Sequence, residues 1–166
     1  MKTQSPHLTE RDVAAYLSEH DIESLYRSLL NAWDRRDARA FATLFVEDGH
    51  VIGYDGSLME GRAEIEPELE RIFAQHPTPT YVCKVRDVRV LGPDVGILFA
   101  IAGMVPAGEN ELDPAVNALH TMVAARGGRR LEIVSFQSTP AALHGPPEMA
   151  NQVTEELRAA LSARPS

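Results

Sequence analysis

Cysteine is almost absent from this sequence: Cys83 is the only one. Neither a disulfide frame nor a thiolate metal cage can be built within the chain. Cys83 lies in a strand-like apolar run and is read as a buried small hydrophobe rather than a reactive thiol. Long hydrophobic runs are missing too, since none approaches the ~18 residues of a membrane span. The first residues, MKTQSPHLTERD, carry no apolar segment of the signal-peptide kind, so a cytoplasmic protein is expected. Positive charge is scarce: 16 basic residues stand against 24 acidic ones, for a net charge of -8. Only Arg126, Arg129 and Arg130 gather around one turn, and without a basic stripe nucleic-acid binding is disfavoured. There is no Gly-rich phosphate loop, no nucleophile elbow and no His/Asp/Glu set at metal-ligand spacing, so neither metal nor cofactor is expected.

What the chain does have is the composition of one folded domain. Its 166 residues are 44% hydrophobic and 24% charged, enough for a single core and too short for two. Residues 1–8 read as a loose tail, 9–143 as the domain, and 144–166 as a loop and helix packed on it. Thr9 with Asp12 resembles a capping box opening a short helix. Asp21 is expected to cap the next helix, whose apolar residues Ile22, Leu25, Leu29 and Trp33 recur along one face. After a polar hinge at Asp34 to Arg36, Asp37 caps a second short helix over 38–45. Glu47-Asp48-Gly49 is expected to stop it, with the glycine in the left-handed conformation common just past a helix end. This elbow, Leu25 to Gly56, is the kind of feature that closes one side of a pocket.

His50 to Tyr54 reads as a short strand, and Asp55-Gly56 as a hairpin turn back through Leu58 and Met59. A third helix carries Ile65, Leu69, Ile72 and Phe73. Its Pro67 is tolerable only near the first turn, which places the start at about residues 62–64. From Tyr81 the period changes to two. Tyr81, Cys83 and Val85 alternate, but Val88 and Val90 continue one residue out of phase, which predicts a β-bulge near Arg86-Asp87. Val95 to Val105 is apolar almost throughout and is expected to be a central strand covered on both faces for part of its length. Two more strands, Ala115 to Ala125 and Arg129 to Ser138, flank the hairpin signal Gly127-Gly128. Pro147 can begin a final helix bearing Met149, Val153, Leu157 and Leu161. Helices followed by hairpin-linked strands indicate an α+β fold, a bulged antiparallel sheet curved over helices with a cavity between them.

The residues that mark this order resemble a known family. Trp33 with Arg36-Asp37-Ala38, then Phe41-Ala42-x-Leu44-Phe45-x-Glu47-Asp48-Gly49, Gly61-Arg62-x-x-Ile65 and Ile133-Val134-Ser135-Phe136-Gln137-Ser138-Thr139-Pro140 resemble the SnoaL-like part of the NTF2-like superfamily. The nearest type is SgcJ/EcaC, members of which occur in enediyne antibiotic biosynthesis clusters. The resemblance implies a cone-shaped NTF2-like fold and a homodimer packed through the outer face of the sheet. It also includes the ketosteroid isomerases, but in that register the isomerase general base falls at Gly53 and the oxyanion-hole tyrosine at Leu29. Near His120 to Met122, where the family's protonated Asp falls, there is no carboxylate, so steroid-isomerase chemistry is not supported. The same register turns Leu29, Trp33, Ile65 and Leu69 into the cavity, giving an apolar wall suited to a planar or polyene-like molecule.

Trp33 reads as a core anchor of the elbow or a stacking surface for a ligand, and Tyr81, with Met104, is placed at the cavity mouth. His120 lies in the apolar strand ANALHTMVAA and is a hydrogen-bonded core residue or a proton shuttle or donor to a ligand carbonyl. Strand alternation alone leaves open which of its faces looks inward. Gln137 shares parity with Leu131, Ile133 and Ser135 and either orients a ligand or ties to His120 or Asn117. His50 is a solvated strand end or a ligand contact. Three functions follow. The first is an accessory protein of enediyne or polyketide biosynthesis that binds or processes an apolar unsaturated intermediate. The second is an isomerase- or cyclase-type enzyme using His120 with Gln137 or Asn117, and the third is an interaction module for a synthase.

Overall fold

The computed structural model describes residues 16–143 and 145–165. The tail expected over 1–8 and most of the helix expected from Thr9 lie outside the described residues. The first helix, α1 (Glu19–Asp34), starts from a reciprocal cap. The Ser18 hydroxyl accepts from the Asp21 N–H and the Asp21 carboxylate accepts from the Ser18 N–H, both at 3.1 Å. Asp21 therefore closes the cap from inside the helix instead of starting it.

The elbow that ends α1 is built on Arg36, which holds a left-handed φ of 57°. That conformation costs a non-glycine residue about 1 kcal/mol. Here it is held from both sides: the Arg36 N–H donates to the Trp33 carbonyl at 2.8 Å, and the guanidinium donates to the Phe73 and His76 carbonyls. The short α2 (Ala38–Thr43) follows, capped by Asp37 Oδ1, which accepts from the Ala40 N–H at 2.9 Å.

The chain leaves this helix earlier than expected. Strand β1 (Phe45–Ile52) already contains Glu47, Asp48 and Gly49. Phe45 and Ile133 pair in register, and the Ile133 N–H donates to the Leu44 carbonyl at 2.8 Å, so the backbone is captured by the sheet before a longer helix can form. Gly49 is small because of crowding, not because of a helix end. A Cβ there would stand 2.9 Å from the Ile133 carbonyl oxygen.

β1 turns through Gly56, at φ 84°, into β2 (Leu58–Glu60). Helix α3 (Arg62–Gln75) begins at the early end of the expected range, so Pro67 sits beyond the first turn. Pro67 and Ala63 are both exposed, and the carbonyl that loses its helical partner faces water. The long strands β3 (Thr80–Val90), β4 (Val95–Val105), β5 (Ala118–Gly127) and β6 (Arg130–Pro140) complete a six-stranded sheet in the order β2-β1-β6-β5-β4-β3. Neighbours are antiparallel except β1 and β6, which run parallel.

Two bulges curve this sheet. The first lies at Arg86, between the pairs Val85↔Ala100 and Asp87↔Phe99, where the phase slip placed it. The second was not expected: Ala124 pairs with Ile133 and Val123 with Ser135, leaving Val134 as an extra residue in β6. An extra residue reverses the faces of everything beyond it.

The concave face packs on α1, α2 and α3 around Ile22, Leu29, Phe45, Ile65, Leu98 and Met122, all fully buried. Helix α4 (Pro147–Ser162) covers the opposite face at the β3–β4 end, where Leu157 joins Val82, Ile101, Val105 and Leu112. β4 is thus covered on both sides over its second half. Lys84 and Arg86 clamp Glu156 of α4 at 2.9 and 2.6 Å, and Arg86 first, then Lys84, hold the Glu156 carboxyl down to about 2. Met149, expected on the buried face of α4, is half exposed.

Candidate functional site

Between the helices and the concave face lies a cavity of about 520 Å³. On α1 its wall comes from Leu30 and Trp33. Tyr26, one turn before Leu30, continues that stripe inward. Leu69 and Ile72 of α3, Val51 of β1, Tyr81 of β3, Met104 of β4 and Phe136 of β6 face them. The acidic and basic side chains among the lining residues, Asp55, Glu68, Arg71 and His76, stand at the mouth. Arg71 is itself occupied by Glu68 and by Gln75 Oε1 at 2.8 Å. The wall is therefore apolar and aromatic, with polar residues at the rim.

Trp33 is both anchor and wall. Its indole N–H donates to the Pro79 carbonyl at 2.8 Å, and its ring lies 5.3, 5.6 and 6.4 Å from those of Phe73, Tyr81 and Phe41. Tyr81 is buried, its ring against His120, and its backbone is tied down on both sides. Its N–H donates to Asp34 Oδ1 at 2.9 Å and its carbonyl accepts from Arg164. Burial raises the Asp34 carboxyl, and the Tyr81 N–H and the Arg164 charge partly offset this.

Of the residues expected in the cavity wall, Trp33, Leu69, Tyr81 and Met104 line it. Leu29 and Ile65 do not. Both are completely buried in the core, because the inward stripe of α1 runs through Tyr26, Leu30 and Trp33, leaving Leu29 on the neighbouring face. His50 points the other way from Val51 and shares 2.9 Å with the Ser135 hydroxyl on the outer face. Asn117 lies under α4, donating from Nδ2 to Thr154 Oγ1 at 3.0 Å. Gln137 is exposed and donates to Thr139 Oγ1 at 3.1 Å. The bulge at Val134 turns it outward and puts Phe136 and Ser138 in the wall instead. His120, Gln137 and Asn117 are thus not brought together.

His120 takes the inward face with Ala118 and Met122 and is completely buried. Its Nδ1 lies 2.8 Å from the Tyr26 hydroxyl, and the rings of Tyr81 and Phe136 stand edge-on at 5.0 Å. Burial alone pushes its pKa down to about 3, so the ring is neutral at physiological pH. Leu30, Val51, Phe136 and Ser138 of the wall, and Tyr26 beside His120, are not among the residues expected at the site. A tyrosine among leucines reads as core, and Ser138 becomes visible only once the bulge is placed.

The matching family model is the SnoaL-like domain, over residues 22–141. The chain belongs to the SnoaL-like domain family. No curated protein matches it at significant similarity. A Nostoc punctiforme domain of unknown function with a cystatin-like fold is similar at 20% identity, TM-score 0.68, covering 94% of this chain and 100% of its own. ActVI-ORFA from Streptomyces coelicolor is similar at 19% identity, TM-score 0.58, with 75% of this chain and 98% of its own covered. A ketosteroid isomerase-like protein from Erwinia carotovora atroseptica gives 13% identity and TM-score 0.59 over 74% and 95%. At these identities the likeness is one of fold, and it is the NTF2-like, cystatin-like fold that the elbow and the curved sheet build here. In this SnoaL-like chain Gly53 lines the cavity without any group able to move a proton.

Proposed function

We propose that this SnoaL-like chain is a small-molecule-binding accessory protein of secondary-metabolite biosynthesis, holding or processing an apolar unsaturated intermediate in its internal cavity. The observation that carries the proposal is the wall itself: Trp33, Tyr81, Met104 and Phe136 converge on about 520 Å³, with the lining charges confined to the rim. Flat aromatic faces favour a planar or conjugated partner, and nothing buried in the wall offsets the desolvation of an ion. An enediyne or polyketide setting, and the SgcJ/EcaC type within the family, are the finer form of the proposal. The residue pattern of the elbow supports them. A cytoplasmic location goes with it, and no helix among the described residues is long and apolar enough to cross a membrane.

An isomerase- or cyclase-type enzyme is the second reading, favoured by the His120–Tyr26 pair on the inward face. It would rest on His120 alone among the three residues considered for it. A homodimer through the part of the outer sheet face that α4 leaves open, around Phe99 and Thr121, belongs to the same proposal. Titration of Trp33 emission with diphenylbutadiene, a rigid polyene hydrocarbon that accepts energy from indole, tests the leading reading. Saturable transfer at one ligand per chain is expected, and its absence overturns the proposal.

A further inference from the structure

Behind the inner wall of the cavity, two buried polar atoms on paired residues have fewer partners than such atoms normally have. His120 and Ser138 face each other across β5 and β6, on the same side of the sheet. His120 Nε2 has no hydrogen-bond partner among the described residues, and Ser138 Oγ closes no hydrogen bond of normal geometry. The Ser138 hydroxyl lies beside the Tyr81 phenol and favours its ionised form, against the rise that burial causes. Ser138, Tyr81 and Phe136 all line the cavity, and the last two flank the His120 ring.

The other ring nitrogen fixes what Nε2 offers. The Tyr26 hydroxyl is 2.8 Å from His120 Nδ1, and the Cys83 thiol lies beside the same hydroxyl. A phenol is a stronger acid than a neutral imidazole, and an imidazole nitrogen is a better acceptor than sulfur, so Tyr26 donates to Nδ1. The neutral ring then carries its hydrogen on Nε2, and His120 presents a donor.

We infer that the inner end of the cavity is a station for one neutral oxygen of the ligand, a ketone or enone carbonyl, received by His120 Nε2–H and Ser138 Oγ–H beside Tyr81. The inference rests on the reading that the cavity binds an apolar unsaturated molecule, and it names the polar group that molecule carries at its inner end. A carbonyl oxygen has two lone pairs for the two donors. A carboxylate is disfavoured, since no cation lies among the buried wall residues to stabilise it. A pure hydrocarbon leaves His120 Nε2–H unpaired, at the usual cost of a buried polar group, and Ser138 with the Tyr81 phenol alone.

Fluorene and fluorenone differ only in the carbonyl and test this directly. Fluorenone is expected to bind about tenfold more tightly, the size of one to two net hydrogen bonds. Its carbonyl stretch is expected to move to lower wavenumber on binding, a readout that needs no variant. Ser138→Ala, and separately His120→Phe combined with Tyr26→Phe so that no phenol is left unpaired, should each shrink the affinity ratio of fluorenone to fluorene. Equal affinities with an unshifted carbonyl band overturn the station and leave the apolar cavity standing. Failure of both compounds to bind overturns the cavity reading together with it. Tighter binding of fluorene-9-carboxylate than of fluorenone contradicts the choice of a neutral oxygen.

Discussion

Burial sets the protonation of His120, and through it a pH dependence of stability. In the unfolded chain an imidazole takes up its proton near 6.5, whereas in the fold His120 resists until about 3. The unfolded state therefore binds the proton first. Stability present above pH 6.5 is lost progressively as pH falls toward 3. Between pH 7 and 5 this one residue removes about 2 kcal/mol. Tyr26, Tyr81 and Cys83, the groups around it, are all pushed upward by burial and stay protonated over this range. Asp34, with its raised pKa, works in the opposite direction. Urea midpoints measured from pH 7 to 5 should fall less steeply in His120→Phe/Tyr26→Phe than in the natural chain, and parallel slopes would refute the assignment. His120 was legible as a candidate because it is the one imidazole in an apolar strand. Its face was not, since Ala118, His120 and Met122 alternate with Asn117, Leu119 and Thr121 and both sets are apolar enough to be inside.

At the scale of elements, the two bulges show what alternation can and cannot reveal. In β3 the phase slip from Val85 to Val88 is visible because polar residues separate the two, and the bulge lies where expected. In β6 the run Leu131, Ile133, Val134 and Phe136 is apolar in both phases, so the extra residue at Val134 leaves no trace in the pattern. Gln137 and Ser138 exchange faces for that reason. The end of α2 is hidden for a similar reason, because Glu47-Asp48-Gly49 carries the chemistry of a helix stop while the pairing of Phe45 with Ile133 is long-range. One close approach between elements has a measurable consequence. Gly96 of β4 lets α1 settle on the closed end of the cone, and a Cβ there would stand 2.1 Å from Ile22 Cδ1 and 2.8 Å from Ile22 Cγ1. Gly96→Ala should destabilise the fold by about 1–3 kcal/mol, the usual range for overpacking. Adding Ile22→Val should recover part of that loss in chemical denaturation, and an unchanged midpoint in the single variant would show that α1 sits farther from the sheet.

For the molecule as a whole, the order of helices and strands, the pocket-closing elbow and the family were legible, because each rests on local periodicity or on a motif of fixed spacing. The parallel pairing of β1 with β6 and the face of the sheet on which α4 docks were not, since both join segments far apart in the chain. α4 covers only the β3–β4 end, so a homodimer would use the remaining outer face, and light scattering at twice the chain mass is the expected result. The central claim is that the space between helices and sheet holds an apolar, conjugated molecule. Binding of diphenylbutadiene, followed by the ligand's own emission in the natural chain and in Met104→Trp, tests it most directly, because Met104 lines the cavity and the larger side chain fills it. The account predicts saturable one-to-one binding in the natural chain and at least tenfold weaker binding in a Met104→Trp variant that remains folded. Binding that is absent, or that is indifferent to filling the cavity, would contradict it.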